Sequence, residues 1–406
     1  MKQTFVTHLE SALDGTRFEA GKVWTVHEGR PIWVRYHLVE IRAAVSPEVI
    51  AGRPSTMWRY RELLPLPLEI EPVTLGEPMT PLLDCPRLGQ RLGLGNLRIK
   101  DESQLPTGSF KSRGMAMAVS MAKHLGLTRL AAPTAGNAGG ALAAYAARAG
   151  LEAYVFMPDD TPVVNQMEAW LFGAKVFLVN GLITDCGRIV REGVGAKGWF
   201  DMSTLKEPYR LEGKKTMGLE LAEQLGWTLP DVILYPTGGG TGLIGMWKAF
   251  QELLTLGWLK SNKMPRLISC QSDGCAPIVR AFEANERFAT MFPNAHTAAS
   301  GLRVPAAVGD FMMLDAIRAS GGCAIAGRED GMVDSWKLAA SAEGISICPE
   351  SAVCISCVPR LKEMGQIGPA DQVVIFNTGA AQKYADVTKL QLRHIDKNQP
   401  VDYDEM

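Results

Sequence analysis

The sequence lacks an excess of charge of either sign. Its 406 residues include 42 Lys and Arg against 43 Asp and Glu, so the formal net charge is −1. Proteins that bind nucleic acid or acidic membranes through their overall field carry a clear excess of basic residues. The composition therefore gives no reason to expect a nucleic acid partner, and small anionic ligands would have to be held by local groups.

Long hydrophobic runs and paired cysteine motifs are also missing. No apolar run approaches the ~20 residues that a transmembrane helix needs. Residues 1–10 contain an early acid and lack the apolar core of a signal peptide. The eight cysteines are scattered, and the CxxC spacing of Cys354 and Cys357 has no second CxxC or nearby His to complete a zinc site. We therefore predict no membrane span, no metal, and a reducing cytoplasmic location.

The rest of the composition is that of an ordinary globular protein, with 47% hydrophobic and 21% charged residues. The length exceeds what one hydrophobic core usually supports, so two domains are expected. From about residue 95 onward, strand-like runs alternate with helical ones, which indicates an α/β fold of open, mostly parallel sheets flanked by helices. Short strand-like pieces before residue 55, at Lys22–Val26 and Pro31–Tyr36, predict a β-rich extension.

Lys111 lies in the stretch around which the sequence is organised. It follows a strand-like run, Leu97–Lys100, and a Pro106-Thr-Gly-Ser109 turn, and a helical run from Gly114 to Lys123 comes next. We expect Ser and Thr oxygens of the turn to cap this helix, and the helix dipole to favour a neutral amine. A neutral lysine is what Schiff-base chemistry needs, although most lysines at helix starts are simply solvated.

A glycine-rich loop, Thr237-Gly-Gly-Gly-Thr-Gly242, lies between the strand-like run Asp231–Pro236 and the helical run Leu243–Phe250. Glycines let backbone N–H groups approach a ligand, and a helix N-terminus attracts negative charge, so the loop favours a phosphate. The loop lacks the Lys-Ser/Thr pair of a P-loop, and no acid ends the following strand as in dinucleotide-binding folds. A tight strand-to-helix turn without a ligand is the alternative.

A second loop, Thr134-Ala-Gly-Asn-Ala-Gly-Gly140, has a similar position between a strand and a helix. Its backbone could hold a carboxylate and the Asn137 amide could bond a ring oxygen, unless Asn137 only caps the helix. Thr378 follows the strand-like run Gln372–Phe376 and could face a ligand nitrogen. Lys111, both loops and Thr378 all follow carboxyl ends of strands, where open sheets bind ligands.

These motifs identify a family resemblance that covers nearly the whole chain from about residue 20. The chain resembles the fold-type II (tryptophan synthase β-like) pyridoxal phosphate enzymes, and among them it is most similar to the threonine synthase family. The segments that carry the resemblance are Met57–Arg61, Pro106–Arg113, Ala135–Ala138, Pro208–Thr216, Gly238–Gly242 and Asn377–Gly379. The resemblance implies pyridoxal 5'-phosphate as cofactor, an amino acid as substrate, and a homodimer as the common assembly.

The resemblance also implies a division into domains. The N-terminal extension would span 1–55, the large cofactor-binding domain 56–115 together with 201–406, and the small α/β domain 116–200.

Roles for individual residues follow from the same resemblance. Lys111 would form the Schiff base with the cofactor and shuttle protons, Asn137 would bond the phenolic oxygen, and Thr378 would meet the pyridine nitrogen. The cofactor's phosphate would lie against the glycine loop, at Gly238, Gly239, Gly240, Thr241 and Gly242. The substrate would be bound by Thr134, Ala135, Gly136 and Arg188.

The implied reaction converts O-phosphohomoserine and water to threonine and phosphate, which makes the protein a carbon–oxygen lyase. The sequence departs from the family pattern at three positions where Asn is usual, namely Leu105, Leu182 and Glu207. An acid near a phosphate repels it and a leucine offers no donor. Cationic residues nearby in sequence could compensate: Arg188, Lys206, Arg210, Lys214 and Lys215.

Other functions therefore stay open at this point. One is a related enzyme that kept the cofactor site but acts on a different amino acid, as a β-eliminating dehydratase, an ammonia-lyase or a β-replacement synthase. Another is a non-catalytic homologue that binds the cofactor or an amino acid.

Overall fold

The computed structural model describes residues 3–388 and 392–400. Its strands, in chain order, are β1 (Val6–Ser11), β2 (Arg17–Phe18), β3 (Val26–His27), β4 (Arg30–Tyr36), β5 (Leu82–Asp84), β6 (Asn96–Asp101), β7 (Arg129–Pro133), β8 (Glu152–Pro158), β9 (Lys175–Val179), β10 (Phe200–Asp201), β11 (Val232–Pro236), β12 (Arg266–Ser272), β13 (Cys323–Gly327) and β14 (Gln372–Asn377).

The helices surround these strands on both faces. They are α1 (Leu38–Ala44), α2 (Pro47–Ala51), α3 (Pro86–Leu92), α4 (Lys111–His124), α5 (Asn137–Ala149), α6 (Val163–Leu171), α7 (Ile183–Lys197), α8 (Tyr209–Gln224), α9 (Thr241–Leu256), α10 (Pro277–Glu283), α11 (Asp310–Ala319), α12 (Met332–Glu343) and α13 (Pro349–Glu363). Within the described residues, none of these helices is long and apolar enough to cross a membrane.

The N-terminal strands form an antiparallel sheet in the order β2-β1-β4-β3. Leu9 and Val34 point from this sheet into a core that is shared with α4, α5 and the sheet described next. The predicted β-rich extension is therefore confirmed, and it packs on the main body of the protein through this common core.

A second sheet has four parallel strands in the order β10-β7-β8-β9. One face packs against the alanine-rich helix α5, which ends at Gly150 in a left-handed conformation that glycine adopts without strain. The other face packs against α7, where Val190 lies in one cluster with Phe156 and Trp199. Helices lie on both faces, and the central strand β8 is accordingly buried along most of its length.

The third sheet is the largest, with the order β13-β12-β11-β14-β6-β5. All neighbouring strands are parallel except the edge pair β5 and β6. All five residues of β11 are buried, as expected for a central strand covered on both faces. An α/β fold with open, mostly parallel sheets is thus confirmed.

Topology determines where the candidate site lies. Strands β11, β14 and β6 are neighbours at the centre of the large sheet, and their carboxyl ends lead to the glycine loop, to Thr378 and to the segment before Lys111. The domain boundaries stay a prediction. The one between 115 and 116 falls inside α4, and β10 carries the small sheet to Asp201.

Candidate active site

Lys111 is the first residue of α4, but the helix start is built differently from the prediction. The N-cap residue is Phe110, which has no side-chain capping bond. The Thr107 and Ser112 hydroxyls bond each other at 2.9 Å, and the Ser109 hydroxyl is buried without a hydrogen-bond partner among the described residues. The predicted Ser/Thr cap is therefore wrong, because these hydroxyls turn towards one another or into the interior.

The Lys111 amine lies 4.0 Å from the centre of the Phe110 ring. Burial, and after it the positive charge of Arg210, lower its pKa to about 7, whereas Glu350 and Cys348 oppose the shift. The predicted direction towards a neutral amine agrees with this value. Burial and Arg210 are its causes here, in place of the helix dipole that the sequence suggested.

The glycine loop packs so closely that side chains do not fit. A Cβ at Gly238 would collide with the carbonyl oxygen of Gly301, and one at Gly239 would lie 2.7 Å from Cγ2 of Thr204. Gly240 has φ of 78°, which disfavours other residues, and α9 begins directly after it at Thr241. The loop thus offers bare backbone at a helix N-terminus, which is the geometry of a phosphate cradle.

Asn137 begins α5, and its side chain faces the same region. Its Nδ2 donates to the Tyr384 hydroxyl at 3.0 Å, and its Oδ1 is buried without a partner among the described residues. Thr378 follows β14, with its Oγ1 3.4 Å from the Cys348 sulfur. Lys111, Asn137, Thr378 and the loop from Gly238 to Gly242 line one small cavity. The structure therefore brings together the residues predicted to hold the cofactor.

A larger cavity of about 400 Å³ adjoins this one and shares Lys111, Asn137 and Gly239 with it. Thr134, Ala135 and Gly136 line its wall. The Thr134 hydroxyl closes the turn by accepting from the Gly136 N–H at 3.1 Å. The predicted substrate loop thus lies beside the lysine.

Arg188 does not reach this cavity. Its side chain is exposed and pairs with Glu192 at 3.1 Å, on the outer surface of α7. The cavity is lined instead by Thr184, Gly187 and Arg191 of the same helix. A spacing of three and then four residues marks one helical face, so helical periodicity could have indicated Arg191 from the sequence.

Among the described residues, none of the three departures from the family pattern lines the larger cavity. Leu105 is buried, and Leu182 precedes α7. Glu207 is also buried, where its carboxylate accepts hydrogen bonds from the backbone N–H groups of Tyr209 (2.7 Å) and Arg210 (3.1 Å) at the start of α8. Burial raises the Glu207 pKa to about 7.

Of the cations proposed to compensate, only Lys206 lines the larger cavity within the described residues. Arg210 donates to the Met202 carbonyl at 2.6 Å, Lys214 to the carbonyl of Phe110, and Lys215 pairs with Glu212. Sequence reasoning missed Arg303, which lines the cavity from a loop without strand or helix periodicity. Nothing in the local sequence signals its approach.

A buried ion-pair network holds the start of α4. Arg113, two residues after Lys111, donates to Glu102 (2.6 Å) and Glu220 (2.6 Å). Lys100 on β6 also bonds Glu220, at 3.0 Å. The side chains of these four residues are fully buried, so the network ties the helix that carries Lys111 to both the sheet and α8.

Comparison with known proteins places this site in a family. A family model described as "Pyridoxal-phosphate dependent enzyme" matches residues 73–379, which include both loops, Lys111 and Thr378. The chain belongs to this family. Members use pyridoxal phosphate, and so does this chain.

Individual relatives cover most of the chain. It is 34% identical to a threonine synthase of Methanocaldococcus jannaschii over 365 residues, which are 90% of this chain and 89% of that protein. It is 36% identical to a threonine synthase of Methanosarcina acetivorans over 325 residues, 80% of this chain and 79% of that one.

Solved structures show the same fold at lower identity. Maize serine racemase has a TM-score of 0.64 and 20% identity, over 75% of this chain and 88% of the racemase. Diaminopropionate ammonia lyase from Escherichia coli has a TM-score of 0.65 and 18% identity, over 78% of this chain and 88% of the lyase. At this identity the likeness concerns the fold alone.

The residues of this pyridoxal phosphate enzyme fit the cofactor. The glycine loop lines the small cavity, and its lack of side chains leaves the backbone there open to a phosphate. One end of the Asn137 amide is buried and lacks a partner among the described residues. Half a turn of the amide would let Tyr384 donate to Oδ1 and leave Nδ2 to donate to a ring oxygen. The unpaired end of the Asn137 amide and the glycine loop thus lie in one cavity, where they match the ring oxygen and the phosphate of the cofactor.

Proposed function

We propose that this protein is a threonine synthase-like lyase that converts O-phosphohomoserine and water to threonine and phosphate. The observation that carries the proposal is the cavity of about 400 Å³ beside Lys111, which has cations on its wall in addition to the glycine loop. These cations are Arg191, Lys206 and Arg303. A phosphorylated amino acid needs such a second anionic site. Relatives that are 30–36% identical over most of the chain and are named threonine synthase support the same reaction.

The substrate's two anionic ends would be held on different walls. The carboxylate would lie against the backbone of Thr134, Ala135 and Gly136, at the N-terminus of α5, where the helix dipole favours negative charge. The phosphate would lie against the cationic wall. Because Arg188 pairs with Glu192 outside the cavity, Arg191 takes the place that the sequence gave to Arg188.

Lys111 would hold the cofactor and move protons. An amine with a pKa of about 7 exchanges protons readily near neutral pH, which suits a group that must both remove and return them. When bound, pyridoxal phosphate supplies an electron sink for this chemistry. Asn137 would orient the ring, and Thr378 would offer a neutral hydroxyl to the ring nitrogen.

We also propose a homodimer in the cytoplasm, as the family resemblance implies. All eight cysteines are buried thiols without disulfide partners, which is the usual state of cysteines in a reducing compartment.

Product analysis tests the reaction. Protein loaded with pyridoxal phosphate is incubated with O-phosphohomoserine, and threonine and phosphate are quantified, with Lys111→Ala as the blank. We expect equal amounts of both products from the natural protein and none from the variant. Absence of phosphate release from protein that binds its cofactor would overturn the proposal. Serine, threonine, hydroxyaspartate and phosphoserine would then be screened for keto acid and ammonia.

A further inference from the structure

Arg303, on the wall of the larger cavity, forms an ion pair with Asp160. The two nitrogens Nη1 and Nη2 of Arg303 each donate to one carboxylate oxygen of Asp160, both at 2.7 Å. Asp160 follows β8 of the four-stranded sheet, whereas Arg303 lies between β12 and β13 of the large sheet. The pair therefore links the two sheets at the cavity that holds Lys111.

Arg303 belongs to a loop that touches the phosphate cradle. Gly301 of this loop packs its carbonyl oxygen against Gly238, and its N–H donates to the Glu350 carboxylate at 2.8 Å. Ser300, Gly301 and Arg303 all line the cavity. The loop is thus anchored on the cofactor side and presents its guanidinium to the substrate side.

The two partners are unequal in exposure. The Arg303 side chain is 17% exposed, whereas that of Asp160 is 56% exposed. A carboxylate that is already half in water loses little when it leaves an ion pair. The guanidinium would stay in the cavity wall, with both donors already aligned for a bidentate anion. Phosphate accepts the same paired hydrogen bonds from arginine as carboxylate does.

The other two cations on the cavity wall are less well aligned to bind a phosphate through paired hydrogen bonds. Lys206 is a point charge, which lies 3.6 Å from Asp201. Arg191 is exposed and has no hydrogen bond or ion pair within the described part of the chain that would fix its guanidinium. Arg303 alone of the three is held by a bidentate contact.

We propose that Arg303 is the residue that recognises the phosphate of the substrate, and that Asp160 is a placeholder which the phosphate displaces. This assignment rests on the proposed function and names the group that selects phosphorylated substrates. Asp160 keeps the guanidinium aligned in the empty cavity and competes with the incoming anion.

The placeholder model predicts effects of opposite sign for the two partners. Arg303→Gln should raise KM for O-phosphohomoserine at least tenfold, because the bidentate donor is lost. Asp160→Asn should lower that KM several-fold, because the competing charge is gone. An ion pair that only joins the two sheets would instead make both variants worse. KM shifts in the same direction would overturn the assignment.

Binding of inorganic phosphate gives a second readout that needs no turnover. Isothermal titration uses the protein loaded with pyridoxal phosphate, so that the cofactor occupies the glycine loop. We expect Arg303→Gln to weaken phosphate binding at least tenfold and Asp160→Asn to strengthen it. Unchanged phosphate binding in Arg303→Gln would contradict the proposal.

A matched control is the surface pair Arg287–Asp315, whose partners are each about half exposed and lie 2.9 Å apart. Arg287→Gln removes the same type of charge without touching the cavity, and it should leave both KM and phosphate binding unchanged. If the natural protein releases no phosphate from O-phosphohomoserine, the proposed function fails. The titration still decides whether Arg303 and Asp160 compete for an anion.

Discussion

The surroundings of the Lys111 amine shift its pKa in both directions. Burial and Arg210 disfavour the ammonium, while Glu350 and Cys348 favour it, and the resulting pKa is about 7. An ordinary lysine at neutral pH is almost entirely protonated and cannot attack a carbonyl carbon. At this site a large fraction of the amine is free, so the protein itself prepares the nucleophile.

This shift predicts the pH dependence of cofactor attachment. The amine is protonated below its pKa and neutral above it, so the rate of covalent attachment to cofactor-free protein should rise with pH through about 7 and then level off. Stopped-flow absorbance of the cofactor measures this rate. Arg210→Gln should move the midpoint to higher pH, because it removes a positive charge near the amine. A midpoint near the ordinary lysine value of 10.5 would show that the amine is not perturbed.

Single functional residues could be predicted from the sequence where they belong to short local motifs. Lys111, Asn137, Thr378 and the glycine loop all follow strands and could be placed from local pattern. Arg303 could not, because its loop reaches the site only through tertiary contacts. Glu207 was expected to disturb a phosphate site, but a carboxylate can also satisfy the free N–H groups at a helix start, as it does here.

Helix α4 is the element that fixes the lysine. Glycine at position 114 lets this helix approach α8, since a Cβ there would lie 2.9 Å from Cε of Lys214. Arg113 then reaches across to Glu220 on α8 and back to Glu102. The position and orientation of the Lys111 backbone therefore depend on a network whose residues line neither of the two cavities.

Truncation of Arg113 should reveal the strength of this network. Arg113→Ala leaves Glu102 and Glu220 buried without their main counter-charge, which typically costs about 3–5 kcal/mol. Urea unfolding of the cofactor-free protein measures the loss. Arg328→Ala, in an exposed pair with Asp330, is the matched control and should leave the free energy of unfolding almost unchanged. Equal effects of the two substitutions would mean that the network contributes no more than a surface pair.

The loop between β11 and α9 gives a second prediction for an element. Gly238→Ala places a methyl group against the Gly301 carbonyl, so the loop must shift, and affinity for pyridoxal phosphate should fall at least tenfold, or about 1.4 kcal/mol. Cofactor titration followed by absorbance tests this. Gly195→Ala on α7 is the control, because no atom within 4 Å meets its new methyl group. It should keep cofactor affinity and stabilise the protein by about 0.5–1 kcal/mol. Normal affinity in Gly238→Ala would exclude a tight cradle.

Elements with strong local signals were predicted well from the sequence. The buried runs of β6, β11 and β14 have bounds close to those expected, whereas α9 continues six residues beyond the predicted run Leu243–Phe250. Strands β1 and β13 were not predicted. β13 reads Cys-Ala-Ile-Ala-Gly, and Ala and Gly are weak strand formers, so its sequence gives little strand signal.

On the scale of the whole molecule, residues from both parallel sheets meet around one cavity. Thr134 follows β7 of the smaller sheet, and Gly239 follows β11 of the larger one. Besides the Arg303–Asp160 pair, Lys383 near the end of the described chain reaches Glu168 on α6 at 2.7 Å. Neither sheet alone contains the site, and no local pattern in the sequence reveals these long-range ion pairs.

The assembly state is a prediction at this scale. The family resemblance implies a homodimer, so light scattering coupled to size-exclusion chromatography should give twice the chain mass of 44.1 kDa. The value should hold over a tenfold dilution if the interface is an obligate one. A mass of one chain at all concentrations would contradict the expectation.

The central claim concerns the reaction at the cavity beside Lys111. There the substrate loses its phosphate by cleavage of a carbon–oxygen bond, and water adds to its carbon chain. Water enriched in the heavy oxygen isotope tests it most directly, with O-phosphohomoserine as substrate and mass spectrometry of both products. We predict one heavy oxygen in threonine and none in phosphate, because the carbon–oxygen bond of the substrate breaks and water adds to the carbon chain. Homoserine together with heavy oxygen in the phosphate would show cleavage of the phosphorus–oxygen bond, and would contradict the account.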